Sequence, residues 1–316
     1  MGLCPDKRAG MPTENREKIL ELKNLAVSFA TPQGEVQAVR EVNLSVEPGE
    51  IICIVGESGC GKTVLCQSVM HLLPESSQIK SGEIRLCGRD ITESSENELQ
   101  KLRGTVMAMV FQDPLTTLNP TIPVGKQIME MLLKKKMNRR EAKKRALQLM
   151  ELTGIEKAGE KFDLQPHFLS GGMRQRCVLA AALASDPALL LADEVTTALD
   201  VTVETKILDL LLEIRRKTGT AIIFVTHDLG AAARIADRVA VMYAGKIVEI
   251  GKAEEIFYAP RHPYTSRLLS SMPISIPKNQ GISLEKDRMG RYLRERDDNN
   301  GGKRNNFRGM SAEAVF

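Results

Sequence analysis

The sequence predicts an α/β sandwich built on a mainly parallel sheet, and three observations carry that expectation. Residues 51–55, 188–192 and 221–226 are short, continuous apolar runs, the pattern of strands covered on both faces. Segments of helical periodicity alternate with these runs, as parallel strands joined by crossover helices require. Ahead of them, residues 20–46 alternate apolar and polar side chains, as half-buried antiparallel strands do.

A chain of 316 residues, 42% of them hydrophobic, can bury one large core plus appended subdomains. Charged residues make up 27% and the formal net charge is +4. That weak excess suits anionic ligands such as nucleotides and does not point to nucleic acid. No stretch reaches the roughly eighteen consecutive apolar residues of a membrane-spanning helix. Residues 1–18 are polar and lack the apolar run of a signal peptide, so the expectation is a cytosolic protein. Six cysteines (Cys4, Cys53, Cys60, Cys66, Cys87 and Cys177) are scattered, with no CxxC pair and no nearby histidine. Their spacing speaks against zinc or a disulfide and for small buried apolar residues.

In chain order, residues 20–46 break at the turn Thr31-Pro32-Gln33-Gly34. Pro48-Gly49 introduces the strand at 51–55; glycines follow, then an apolar-periodic helix at 62–73. Residues 128–152 read as two amphipathic helices parted by Met137-Asn138, with Lys134, Lys135, Lys136, Arg139 and Arg140 forming a basic, solvated face. A helix at 178–183 stops at Asp186-Pro187, before the strand at 188–192. Beyond the strand at 221–226, residues 239–243 and 246–249 read as a hairpin turning at Ala244-Gly245. After Pro277 the text turns polar, and residues 297–306 have no periodicity, as in a poorly ordered tail. No internal repeat is present, so the chain holds one such unit.

Between the strand at 51–55 and its helix stands Gly56-Glu57-Ser58-Gly59-Cys60-Gly61-Lys62-Thr63, which fits GxxxxGK[ST] in the strand–loop–helix context that the motif needs. Glycines let the backbone curl until successive N–H groups face β- and γ-phosphate oxygens. The positive end of the following helix adds to the attraction. Lys62 is placed to bridge the terminal phosphates and the Thr63 hydroxyl to ligate Mg²⁺. The alternative, a glycine-rich turn before a helix, accounts for the glycines but not for the lysine and threonine.

Other motifs follow. Leu169-Ser170-Gly171-Gly172-Met173-Arg174-Gln175-Arg176 closely resembles the signature motif of ABC ATPases. Taken alone it is a helix capped by Ser170. Leu189-Leu190-Leu191-Ala192-Asp193-Glu194 resembles their Walker B strand, Ala198-Leu199-Asp200 their D-loop, Thr226-His227-Asp228 their switch histidine and Phe111-Gln112-Asp113-Pro114 their Q-loop. The order and spacing are those of the family over about residues 20–256. The resemblance implies ATP and Mg²⁺ as cofactors and ATP hydrolysis as the activity. It implies Asp193 and Gln112, with Thr63, at the metal, Glu194 as general base and His227 at the γ-phosphate. Ser170, Gly171, Gly172, Gln175 and Asp200 would serve nucleotide held by an opposing subunit. Phe29 stands where the family stacks an aromatic on adenine, although a core strand residue explains it almost as well. Val195 departs from the proline that relatives carry after the glutamate, which should loosen that turn without removing a functional group.

The implied fold is a P-loop (RecA-like) core with an antiparallel β subdomain, an inserted α-helical subdomain and a short C-terminal extension. The expected division is a polar tail at 1–19, an ATPase domain at 20–256 with its helical subdomain at about 113–185, and an extension at 257–316 that is disordered after about 285. Residues 111–120, 196–203 and 235–245 resemble the oligopeptide, dipeptide and nickel importer subfamily, and Ala259-Pro260-Arg261-His262-Pro263-Tyr264-Thr265 resembles the start of its C-terminal extension. No cysteine follows Cys177, so the cysteine cluster of many members is absent. That weakens assignment to the oligopeptide branch specifically; the expected cargo is di- or oligopeptides, with nickel or metal chelates as the alternative. The resemblance also implies partners: a second ATPase subunit, homologous or identical, two transmembrane permease subunits and, indirectly, an extracytoplasmic substrate-binding protein. The expected place is the cytoplasmic face of the membrane, with no nucleic-acid partner. A soluble ABC ATPase of repair or translation would need a coiled-coil insertion or tandem domains, and neither is present. A purely regulatory nucleotide binder would lack Glu194 or His227, and both are here.

Overall fold

The computed structural model describes residues 18–111, 117–196 and 201–271. Two sheets face each other. The first is antiparallel, in the order β2-β1-β4-β5, from β1 (Leu20–Thr31), β2 (Gly34–Val46), β4 (Ser77–Leu86) and β5 (Arg89–Asp90). The second runs β10-β9-β3-β8-β7-β6, from β3 (Ile51–Val55), β6 (Met107–Val110), β7 (Leu189–Asp193), β8 (Ala221–Thr226), β9 (Arg238–Tyr243) and β10 (Lys246–Lys252). Every pair in the second sheet is parallel except β9–β10. The expected α/β architecture, with its antiparallel portion, is the one observed.

The parallel strands are buried along their whole length, so their apolar runs show no alternation in the sequence. In space they alternate all the same, because successive side chains point to opposite faces. Ile52 and Ile54 join Ile223, Val225 and Met242 in a core shared with the antiparallel sheet. The helix α1 (Lys62–Met70) is buried there, through Leu65, Cys66 and Val69. Ile51, Cys53 and Val55 turn the other way, with Phe224 and Val241, against the remaining helices.

On that second face lie α3 (Val124–Lys134), α4 (Arg139–Leu152) and α6 (Gly171–Ala184), packed through Ile128, Leu132, Ala146, Leu149 and Cys177. The helix α2 (Glu96–Arg103) packs near β6 and reaches the core between the sheets through Leu102, and α5 (Ala158–Lys161) packs against α4. The chain continues through α7 (Val201–Thr218), α8 (Leu229–Ile235), α9 (Ala253–Tyr258) and α10 (Pro263–Ser270). Helix ends differ from expectation. α1 stops at Met70 because His71 takes a left-handed conformation, φ 51°. α3 starts four residues early, at Val124, and α6 starts at Gly171, where Ser170 caps it. The basic side chains at 134–140 are exposed, as expected of a solvated face.

Cys53, Cys60, Cys66 and Cys177 are free and buried. Burial pushes the Cys177 thiol up to about 12 and those of Cys53 and Cys66 well above the usual range, so they are inert apolar fillers. Cys87 is the correction, since it is disulfide-bonded where the spacing spoke against any disulfide. Among the described residues no helix is long and apolar enough to cross a membrane.

Candidate active site

The strand β3 delivers the phosphate loop and α1 receives it. Two of its glycines are obligatory. A Cβ on Gly56 would stand 2.2 Å from the Met242 carbonyl oxygen, and one on Gly61 2.4 Å from that of Ala38. Gly61 also holds φ 107°, a conformation open mainly to glycine. A hydrogen bond from Gly245 N to the Cys60 carbonyl, 3.0 Å, ties the loop to the β9–β10 turn. Glu57, Ser58 and Gly59 are exposed on its outer side, while the Cys60 side chain turns into the core.

Lys62 is 4% exposed and bends back over the loop. Its ammonium donates to the carbonyls of Gly56 and Glu57, both at 2.9 Å. An ammonium has three donors, so one remains, with only the weak acceptor Cys60 Sγ at 3.9 Å. The same Nζ lies 4.0 Å from Glu194 Oε1.

Asp193 ends β7, nearly inaccessible, and accepts a hydrogen bond from Thr63 Oγ1 at 3.2 Å. Burial raises its carboxyl above the usual range and the Glu194 charge adds to this; the Thr63 hydroxyl and Lys62 only partly offset it. A hydroxyl beside a buried, destabilised carboxylate is a set of hard oxygen donors that fits Mg²⁺. Among the described residues no group of three or more His, Cys, Asp or Glu could hold a metal alone. Mg²⁺ characteristically takes one or two protein oxygens and completes its shell with phosphates and water.

Glu194 follows at φ 47°, left-handed for a non-glycine residue. Such a conformation persists only where surroundings impose it. Here Glu194 N donates to the Val225 carbonyl at 3.0 Å, and Val195 is buried behind it. A proline at 195 would bias residue 194 towards extended backbone, and valine does not. Glu194 Oε1 stands 3.7 Å from Nδ1 of His227, whose side chain is 55% exposed at the end of β8. Asp228 then caps α8, accepting from Gly230 N and Ala231 N. Loop, carboxylates and histidine thus meet at the carboxyl ends of β3, β7 and β8, where open α/β sheets hold ligands.

The signature stretch lies elsewhere. Ser170 accepts from Met173 N at 3.3 Å and leaves the N-terminus of α6 exposed. Among the described residues no hydrogen bond or ion pair joins it to the phosphate loop. Phe168, 64% exposed, and Val201, 70%, are exposed apolar side chains on either side of it in the chain. Gln175 is a correction, because its side chain is 1% exposed and cannot reach a nucleotide on another subunit. It lies one turn inside α6, past the exposed Ser170 and Gly171. Phe29 is half-buried near the outer end of β1, opposite Val36. Gln112 and Asp200 lie outside the described residues. One contact escapes motif reading altogether: Glu57 N donates to the Tyr264 hydroxyl at 3.4 Å, across 207 positions. The stretch 259–265 is legible as a subfamily mark, but nothing in its text points to the loop.

The fold and this loop define a phosphate-loop nucleotide-binding protein. The chain belongs to the ABC transporter family, whose model matches residues 39–197. A second model, the C-terminal region of oligopeptide/dipeptide transporters, matches residues 248–308. The oligopeptide transport ATP-binding protein OppD of Bacillus subtilis is 55% identical over 81% of this chain and 72% of its own length. The dipeptide transport ATP-binding protein DppD of the same organism is 52% identical over 81% and 77%. Both relatives are named for peptide transport, the cargo expected of this chain. Among solved structures, the dimeric post-hydrolysis state of the cassette MJ0796, bound to ADP and Pi, has a TM-score of 0.67 and 29% identity. It covers 74% of this chain and 98% of that one.

Proposed function

We propose that this chain is the ATP-hydrolysing subunit of an ABC importer for di- and oligopeptides. The observation that carries the reading is Glu194 Oε1 within 4.0 Å of Lys62 Nζ and 3.7 Å of His227 Nδ1, beside the Thr63–Asp193 pair. The free donor of Lys62 and the loop N–H groups bind the β- and γ-phosphates, Phe29 stacks on adenine, and Ser170, Gly171, Gly172 and Asp200 serve nucleotide held by an opposing subunit. Thr63, Asp193 and Gln112 hold Mg²⁺, which neutralises phosphate charge and polarises the phosphoryl group. Glu194 accepts the proton of the attacking water at Oε1, and His227, beside it, contacts the γ-phosphate.

The peptide cargo rests on the names of the relatives and on the C-terminal model. The division at residues 20–256 and 257–316, with a helical subdomain at about 113–185, belongs to the same proposal. The exposed helix end at Ser170, with the exposed apolar Phe168 two residues before it, supports pairing with a second ATPase subunit, identical or homologous. Two permease subunits would hold the pair at the cytoplasmic face, with an extracytoplasmic peptide-binding protein beyond. Affinity purification from its native membrane tests this. Permease subunits should co-purify, and deletion should abolish growth on peptides as sole amino-acid source. Growth that depends instead on nickel supply, or a chain recovered with no membrane partner, would refute the peptide importer.

A further inference from the structure

The α10 helix contributes to the site a contact that no motif accounts for. Gly56 C=O and Glu57 N–H belong to one planar peptide unit and point in opposite directions. Lys62 Nζ donates to the carbonyl end at 2.9 Å, and the Tyr264 hydroxyl accepts from the N–H end at 3.4 Å. The peptide is therefore clasped from both sides. Gly56, at φ 157°, gives the backbone latitude to turn that unit over. A turned unit would withdraw its carbonyl from Lys62 and remove the acceptor that orients the ammonium.

Tyr264 is itself firmly held. It is 5% exposed, so packing fixes its ring. Its ring packs on Tyr243 with centroids 4.3 Å apart, next to the Met242 carbonyl that crowds Gly56. The Arg267 guanidinium lies over the same ring, 5.5 Å from its centroid. His262 Nδ1 accepts from Tyr264 N at 3.1 Å and caps α10. Glu249, on β10, accepts from Arg261 N at 2.7 Å and from His262 N at 3.1 Å, pinning the turn that leads into the helix.

We propose that Tyr264 is a positioning residue of the nucleotide site, through which the C-terminal extension sets the Gly56–Glu57 peptide and hence Lys62. The inference rests on the nucleotide-binding reading of the loop. It gives the extension a task at the chain's own ATP site.

The test uses the full chain, Mg²⁺ and a non-hydrolysable ATP analogue in calorimetry, with thermal melting and amide exchange at Glu57 in the absence of nucleotide. Tyr264→Phe keeps the ring and loses the hydroxyl. It should weaken binding about two- to tenfold, the effect of one hydrogen bond, speed exchange at Glu57, and leave the melting temperature unchanged. Glu249→Gln, which keeps the hydroxyl but loosens the turn into α10, should shift affinity in the same direction by less. Wild-type affinity in Tyr264→Phe overturns the inference, as does a loss of affinity accompanied by lower melting or by unaltered Glu57 exchange. Lys62→Ala separates the two readings. If wild type and Lys62→Ala bind equally or not at all, the phosphate-loop reading itself fails and takes this inference with it.

Discussion

Lys62, Asp193 and Glu194 show how one residue's chemistry is set by its neighbours. Lys62 gives two donors to the loop's own carbonyls, which leaves one for the proposed phosphate contact. Lys62→Ala should therefore reduce Mg-ATP affinity about ten- to a hundredfold, the scale of a lost charge-assisted hydrogen bond, as calorimetry would measure. Unchanged affinity would contradict the loop's role. Glu194→Gln leaves shape and the phosphate contacts but cannot accept water's proton. Binding should persist while hydrolysis in the assembled transporter slows about 10²–10⁴-fold. Asp193 gives a pH-dependent outcome. Its folded value is raised, mainly by burial, above the usual 3.8. The favourable contribution of its neutral form is thus complete below that usual value and is lost as pH rises through the raised one. At neutral pH, without nucleotide or Mg²⁺, Asp193→Asn should melt higher than wild type, because it removes a buried charge and keeps an acceptor for Thr63. The gain should shrink as pH falls towards 4. An equal gain at both pH values, or none, would show that the buried charge is not the cause.

At the scale of elements, legibility followed burial. β8 was readable to the residue because its five apolar residues, Ala221 to Val225, are closed by Thr226 and bounded by polar turns. Which face of each buried strand meets which layer was not, since a continuous apolar run hides its own alternation. The site was legible where a motif is a contiguous string, as at Gly56–Thr63, and less so at Gln175, which the family resemblance put at nucleotide and which is 1% exposed. The helical start at Val124 was missed because Pro123 serves as the preceding boundary without a polar cap. The Tyr264 contact lay beyond motif reading, for it depends on a fold that closes 207 positions. The central strand offers a stability test. Phe224, on β8 between β3 and β7, is the largest fully buried side chain. Phe224→Ala should lower unfolding free energy by about 3–5 kcal/mol through lost burial and the cavity left behind, measurable by denaturant titration. A loss under about 1 kcal/mol would mean that the two-layer core relaxes freely around that position.

For the whole molecule the question is whether one chain holds a complete site. Ser170 caps an exposed helix end that, among the described residues, makes no bond to the phosphate loop, and a helix N-terminus attracts anions. If that end serves ATP held by an opposing chain, hydrolysis needs two ATPase subunits face to face, closing on the shared phosphates and reopening after cleavage. Ser170→Arg should then abolish turnover at the opposing site while the mutant chain still binds ATP at its own Lys62. A mixing experiment isolates this. A Lys62→Ala chain and a Ser170→Arg chain, each inactive with the permease alone, are combined in one assembly. In a mixed pair of otherwise identical chains, one site regains Lys62 from one subunit and Ser170 from the other, while its mate lacks both. Partial activity, approaching half of wild type per mixed pair when the sites fire independently, is the expected result. Where the natural partner is a separate homologue, the same two substitutions are placed one in each chain. Full turnover by Ser170→Arg as an isolated monomer would show that each chain hydrolyses ATP alone, and the shared site would fall.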